Sequence, residues 1–347
     1  MASHTMTAAV LRQIPDDRLH IEAVPTPQVS QPDDLIVRIG ACGICGTDLH
    51  IMEGESYLPE LPFVLGHEPA GTVVAAGADA QQWLGKRVVI TLFTGCGHCP
   101  QCRLGDERLC PDVVSDTGVF GAWGGYAEYL RIHAAQAVAV PDCLSDIQAA
   151  SLVDAGATAA NSVRVAMTGH PKRVLVLGAG PIGLLSAEML RSEGVAVQLT
   201  QRSPRRRAAA AALGYDVVGS IAETDGAFSA VIDATGSPDV FNDGVRALGP
   251  RGKYILAGYA VVPNADFAEV SHKEAEIVGI RSGSRKDLTN IIELAAQGRV
   301  RLPQIVTWRL AEINEAMDAI RGRKVDGKVV IVPSQGQSSR APRGEKQ

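Results

Sequence analysis

The sequence predicts an α/β protein in two parts: a β-rich domain and a doubly wound parallel sheet. Three observations carry that expectation. Short β-like segments run up to about residue 150, strands alternate with helices from residue 172, and a GAGPIG turn joins one such strand to its helix. At 347 residues the chain is long for a single core, so two domains are expected. The composition of 46% apolar residues, 20% charged residues and 36 glycines fits a globular protein with many tight turns. A net charge of −5 offers no broad basic surface to nucleic acid or lipid. No apolar run approaches the ~20 residues of a membrane span, and no charged-then-apolar signal pattern opens the chain, so a cytoplasmic protein is expected. MASHTM at the start has the look of an expression-tag remnant, and the polar tail SSRAPRGEKQ is expected to be disordered.

In the first part DLIVRI (34–39), GTVVAAG (71–77), KRVVITLF (86–93) and GGYAEYLRI (124–132) read as strands broken by Gly and Pro. The second part opens with the buried-strand run KRVLVLG (172–178), helical PIGLLSAEMLRSEG (181–194) and the strand VAVQLT (195–200). An Ala-rich helix (204–213), strand SAVIDATG (229–236), helix PDVFNDGVRALG (238–249) and strands KYILAGY (253–259) and EAEIVGI (274–280) follow. Helix AEINEAMDAIRG (311–322) and strand VVIVP (329–333) then return the chain to its first part. The expected domains are therefore 1–155 with 295–347, including a lobe at 95–111, and 156–294.

GCGHCPQCRLGDERLC (95–110) holds Cys96, Cys99, Cys102 and Cys110, four of the seven cysteines. Reduced cytosolic thiols make poor disulfides, whereas a CxxCxxC(x7)C spacing lets four thiolates converge on one tetrahedral zinc. Four ligands from one loop leave no open position, so this metal is expected to be structural and to fold a segment with little apolar content. The bland alternative is a reduced, Gly-rich loop.

GAGPIG places Gly178, Gly180 and Gly183 between a strand and a helix, with Pro181 and Ile182 opening the helix. Such glycines allow a tight turn and let backbone N–H groups reach a pyrophosphate, so a dinucleotide is expected there, and Thr158 and Thr235 are further candidate contacts. NAD-specific sheets of this type carry an acid about twenty residues beyond the glycines. Here Gln201 stands at that place, and Arg202, Arg205, Arg206 and Arg207 follow it. Ser203 reads as a helix N-cap and Pro204 as the first helical residue, which puts three arginines in a first turn whose dipole disfavours them by ~0.3–1 kcal/mol each. A 2′-phosphate would offset that cost. NADP is therefore the expected preference over NAD, with Arg202 and Arg205 as contacts; a solvated basic turn is the alternative.

Three other places carry potential chemistry: CGICGTDLH (42–50) with Cys45, Thr47, Asp48 and His50, GHE (66–68) with His67 and Glu68, and LVDAG (152–156) with Asp154. Singly each has a plain reading, as a small core cysteine, a satisfied loop histidine or a helix cap. In this order, beside the four-cysteine loop and ahead of GAGPIG, the chain resembles the zinc-dependent medium-chain alcohol dehydrogenases over nearly its whole length. The resemblance implies a GroES-like catalytic domain carrying the cysteine lobe, followed by a Rossmann domain. It also implies two zinc ions per chain, one of them catalytic and held by Cys45, His67 and Asp154, the last standing where family members place Cys, Asp or Glu. Glu68 resembles the family's acidic neighbour of that zinc, as a transient ligand or beside one, and Cys42 matches no ligand position.

A zinc with three protein ligands keeps a position for substrate and favours the deprotonated alcohol. Thr47 and His50 resemble the family's proton relay, in which a hydroxyl, the nicotinamide-ribose hydroxyl and a surface imidazole pass the proton outward. The implied function is alcohol dehydrogenase or ketone reductase, with a secondary alcohol favoured because no acidic cluster for a polyol stands out. A polyol or amino-cyclitol dehydrogenase, or a non-catalytic nucleotide- and zinc-binding member of the fold, is the alternative. Tyr57, Phe93, Phe120 and Trp123 are candidates for a pocket or for the core. A homodimer or homotetramer is expected by analogy with relatives.

Overall fold

The computed structural model describes residues 5–258 and 261–333. Residues 1–4, Tyr259 at the end of KYILAGY, and the tail SSRAPRGEKQ lie outside them. Thr5 and Met6, the last residues of MASHTM, already belong to the strand Thr5–Leu11, and Met6 is buried. The described residues form two compact units, one running to Asp154 and resuming at Gln304, the other Ala155–Pro303.

The first unit is organised around the strand Asp34–Gly43, whose DLIVRIGACG is buried at most positions because partners pair with it on both sides. Glu68–Ala76 and Tyr129–His133 pair with it antiparallel, and its last residues meet Lys328–Val332 through Cys42↔Ile331 and Gly43↔Val330. The same end pairs Gly43 with Glu68. A Cβ on Gly43 would stand 1.8 Å from Glu68 Oε2 and 3.0 Å from Lys328 Cε, so only glycine leaves room for both side chains. Leu35, Val37 and Ile39 pack with Leu65, Tyr126 and Ile331 in one core, each such side chain contributing roughly 1.5–3 kcal/mol by leaving water. Thus one rigid strand end gathers residues that lie far apart in sequence.

The second unit is a six-stranded, all-parallel sheet in the order Asp216–Val218, Ala196–Thr200, Arg173–Leu177, Phe228–Asp233, Leu248–Leu256, Glu276–Gly279. The strand order reverses between Arg173–Leu177 and Phe228–Asp233, which is where sheets of this kind bind ligands at the strands' carboxyl ends. Helix boundaries differ from the sequence expectation. PDVFNDGVRALG ends as a helix at Ala247, because Leu248 already pairs with Phe228 ahead of a register shift over GPRG, and the strand opens there rather than at 253. Asp154–Met167, Phe267–His272 and Arg285–Ala296 are helices that the reading did not foresee. In Asp154–Met167 nearly every residue from Ala155 to Val163 is small and buried, so no apolar stripe alternates with a polar one to announce it. No helix among the described residues is long and apolar enough to cross a membrane.

Candidate metal and cofactor sites

Cys45, His67, Glu68 and Asp154 converge in the first unit, with one donor atom from each lying within 4.8 Å of the others. Cys45 is the N-cap of helix Gly46–Met52, directly beyond the central strand, and His67 and Glu68 lead the strand paired with it. Asp154 opens helix Asp154–Met167, where a carboxylate suits the positive end of the helix dipole. Cys45 Sγ lies 3.6 Å and His67 Nε2 3.9 Å from Asp154 Oδ2. These separations are close to the edge of a tetrahedron whose centre-to-donor bonds are about 2.0–2.3 Å, the range of zinc. His67 and Glu68 are buried while Cys45 and Asp154 are half-buried, so the set has an accessible side. A thiol, an imidazole and carboxylates in this arrangement fit zinc.

Asp48, Tyr126 and Lys328 brace the set. Asp48, which enters the sequence reading only as part of CGICGTDLH, accepts the Cys45 N–H at 2.9 Å through Oδ2 and faces His67 Nδ1 at 3.5 Å through Oδ1. Burial alone would push His67 down, but the Asp48 charge beside it and then Cys45 hold it well above the ordinary histidine value. A metal must displace that proton to bind there. Tyr126 donates its hydroxyl to Asp48 Oδ2 at 2.9 Å. Lys328, 4% exposed, forms an ion pair with the fully buried Glu68 and donates to the Ile44 carbonyl at 2.9 Å. Burial works against the Lys328 charge, and Glu68, Cys45 and Asp154 together outweigh it and hold the ammonium above its usual value. Its partner lies 260 residues away, so spacing could not reveal the pair. The one legible signal is a charged residue heading the otherwise apolar strand KVVIV.

Cys96, Cys99, Cys102 and Cys110 also bring one donor each within 4.8 Å, and none of the seven cysteines forms a disulfide. Backbone N–H groups point at the sulfurs, from Cys96 to Cys110 Sγ at 3.3 Å, and from Cys99 to Cys96 Sγ and Cys102 to Cys99 Sγ at 3.4 Å. The N–H groups of His98 and Cys99 lower Cys96 to about 6, so one thiolate is ready at neutral pH. The set fits a closed four-thiolate metal.

Thr47 Oγ1 lies 3.8 Å from Cys45 Sγ. His50 stands three residues further along the same helix face, exposed, with Nδ1 2.7 Å from Glu55 Oε2. Of the candidate pocket residues Phe93 is core, and Cys42, which matches no ligand position, is core as well. Tyr57 stacks on Phe120 at 6.2 Å, and a cleft of ≈ 560 Å³ is lined by Leu58, Leu61, Phe63, Phe120 and Trp123 among others. The loop bearing Phe120 and Trp123 is pinned beside His67. Gly124 N–H donates to the Val64 carbonyl at 2.7 Å, and a Cβ on Gly118 would stand 2.8 Å from His67 N.

In the second unit Gly178 follows strand Arg173–Leu177 at φ +94°, a left-handed conformation that favours glycine, and Gly180 is the N-cap of helix Pro181–Ser192. Pro181 and Ile182 are its first two residues, and a Cβ on Gly183 would stand 1.9 Å from the Gly178 carbonyl oxygen. Thr235 lies against this turn, its Cγ2 3.1 Å from a Cβ built on Gly178, and is held by Asp233 Oδ1 through both N–H and hydroxyl. Thr158 is buried inside helix Asp154–Met167, where its carbonyl accepts the Ser162 hydroxyl. Gln201 follows strand Ala196–Thr200 and accepts the Ser203 N–H, and Ser203 caps helix Pro204–Ala212. Arg202 and Arg205 are exposed, whereas Arg207 turns back to the Gln201 carbonyl and toward Glu223. Glu223 is an acid that the sequence window around Gln201 does not contain.

Residues 31–142 match the alcohol dehydrogenase GroES-like domain, and residues 147–318 match the glucose dehydrogenase C-terminus. An alcohol dehydrogenase of Geobacillus stearothermophilus is 30% identical over 94% of this chain and 98% of its own length. The D-arabinose 1-dehydrogenase (NADP(+)) of Saccharolobus solfataricus is also 30% identical, over 94% of this chain and 97% of its own. Among solved structures, the acetophenone reductase of Geotrichum candidum in complex with NAD superposes with a TM-score of 0.88 at 25% identity, covering 96% of this chain and 98% of its own. With its GroES-like region, its parallel sheet and two zinc-compatible donor sets, the chain belongs to the zinc-type medium-chain alcohol dehydrogenases and is an oxidoreductase.

Proposed function

We propose that the protein interconverts a secondary alcohol and its ketone with NADP(H), using the first unit for catalysis and the second for the dinucleotide. The observation that carries this reading is the accessible Cys45, His67 and Asp154 set with a hydroxyl, Thr47, beside it. Zinc held there supplies Lewis acidity that favours the deprotonated alcohol. Glu68 and Lys328 keep a neutralised ion pair next to the set, and Thr47 and His50 give the alcohol's proton a way to the surface. The four-cysteine set holds a second, structural zinc. Gly178, Gly180 and Gly183, with Pro181, Ile182, Thr158 and Thr235, form the dinucleotide site. Exposed Arg202 and Arg205, with no acid at Gln201, favour a 2′-phosphate. The cleft lined by Leu58, Phe63, Phe120 and Trp123, with Tyr57 stacked on Phe120 and the Phe120 loop pinned beside His67, supports an apolar or aromatic substrate. A polyol or amino-cyclitol is the second reading, favoured by the likeness to a D-arabinose dehydrogenase. A cytoplasmic homodimer or homotetramer belongs to the same proposal, its location supported by four clustered thiols that form no disulfide.

The test is a panel of aliphatic, aromatic and polyol substrates in both directions with NAD and NADP, on the parent and Arg202→Ala. The expected result is highest kcat/KM for an aromatic or apolar secondary alcohol with NADP, and a roughly tenfold loss with NADP alone in the variant. Faster turnover with NAD, or equal losses with both cofactors, overturns the cofactor assignment, and preference for a polyol overturns the substrate class.

A further inference from the structure

We infer that Tyr126 is a positioning residue for the open donor set, acting through Asp48 to hold Cys45 and His67 in the register that binds metal. The inference rests on the reading that Cys45, His67 and Asp154 hold a zinc. Tyr126 is 0% exposed and touches both arms of the set. Its ring lies against Gly66, where a Cβ would stand 2.6 Å from Tyr126 Cδ1; Gly66 sits at φ +100° and delivers His67. Its hydroxyl reaches Asp48 Oδ2 at 2.9 Å and the Gly43 carbonyl at 3.2 Å, two residues before Cys45.

A phenol has a single proton to give, and burial, followed by the Asp48 charge, pushes Tyr126 well above the ordinary tyrosine value, so it stays a donor. Asp48 Oδ2 is thereby anchored by two donors, the Cys45 N–H and the Tyr126 hydroxyl, which turns Oδ1 toward His67 Nδ1. Outer groups of this kind orient metal-binding histidines, and their loss typically costs 10–100-fold in metal affinity. Tyr126 acts one bond further out than Asp48, so an effect at the lower end is expected. Asp48 meets Cys45, Tyr126 and His67 and none of the four clustered cysteines, so that set serves as an internal control.

The experiment follows zinc release from the purified protein to a chromogenic chelator, for the parent, Tyr126→Phe, Asp48→Asn and the double variant, with melting temperatures beside it. Tyr126→Phe keeps the ring on Gly66 and removes only the hydroxyl. The expected result is release of the open-set zinc roughly tenfold faster in Tyr126→Phe, with the four-cysteine zinc and the melting temperature unchanged. In the Asp48→Asn background the same change adds nothing, because its effect runs through Asp48. Unchanged open-set release, equal acceleration of both zincs with a lower melting temperature, or additive effects in the double variant overturn the inference. A parent that holds only the four-cysteine zinc overturns instead the reading on which it rests.

Discussion

Both donor sets of the first unit converge within reach of one metal ion and are built in opposite ways. Cys96, Cys99, Cys102 and Cys110 come from one loop, and their nearest support is that loop's own backbone N–H groups. Cys45, His67, Glu68 and Asp154 come from three segments spanning more than a hundred residues, and their support is side chains: Asp48, Tyr126 and Lys328, the last from the far end of the chain. A closed thiolate shell satisfies its metal and leaves no position for a substrate; a mixed set with an accessible side leaves one. The local set can therefore stabilise its loop without the rest of the fold, whereas the dispersed set exists only after the sheet around Asp34–Gly43 has formed.

The comparison breaks most sharply at Asp154 and His67. Asp154→Ala or His67→Ala is expected to lower kcat/KM by roughly 10²-fold or more, because an open site that loses a ligand loses several kcal/mol of charge stabilisation. Each variant should stay folded and keep one zinc per chain in metal analysis. Near-normal turnover in Asp154→Ala would remove that residue from the donor set.

Cys102→Ser is expected to act on the other axis. Metal-binding energy in a loop with little apolar content is also folding energy, so thermal denaturation should begin roughly 5–10 °C lower. Below the transition kcat/KM should stay within about a factor of two, since no group of the open set touches this loop in the contacts that brace it. A large loss of turnover in a fully folded Cys102→Ser protein would mean that the two sets are coupled.

The same contrast explains what the sequence discloses. The four cysteines announce themselves because ligand spacing is a local property of the chain. The alternation of strands and helices after residue 172 and the GAGPIG turn are legible for the same reason, since each is written within a few residues of itself. Cys45, His67 and Asp154 emerge only through resemblance to a family, because no local rule ties residue 45 to residue 154. Lys328 and Tyr126 fall outside even that: Tyr126 reads as one more apolar position of GGYAEYLRI and Lys328 only as a charge ahead of VVIVP, and the fold alone brings them to Asp48 and Glu68. Helix Asp154–Met167 stays hidden because it is small-residued and buried along most of its length, which erases the period by which a half-exposed helix is read.

The smallest expected effect separates two histidines, one beside each set. His50 lies on the helix that begins at Cys45 and is exposed, and His98 lies in the four-cysteine loop with its ring on the Cys96 carbonyl at 2.9 Å. If the open set releases a proton through Thr47 toward His50, bulk base can replace the imidazole at the end of that path but not the hydroxyl next to Cys45. His50→Ala should then slow alcohol oxidation by about three- to tenfold, most at low pH where bulk base is scarcest, with partial rescue by imidazole buffer. Thr47→Ala should cost more and resist rescue. His98→Ala should leave oxidation rates unchanged at every pH, since the closed set has no proton to release. Initial rates from pH 6 to 9, with and without added imidazole, distinguish these cases. Equal, pH-independent losses in Thr47→Ala and His50→Ala would argue that both residues support the helix rather than carry a proton, and a pH-dependent loss in His98→Ala would place chemistry at the closed set.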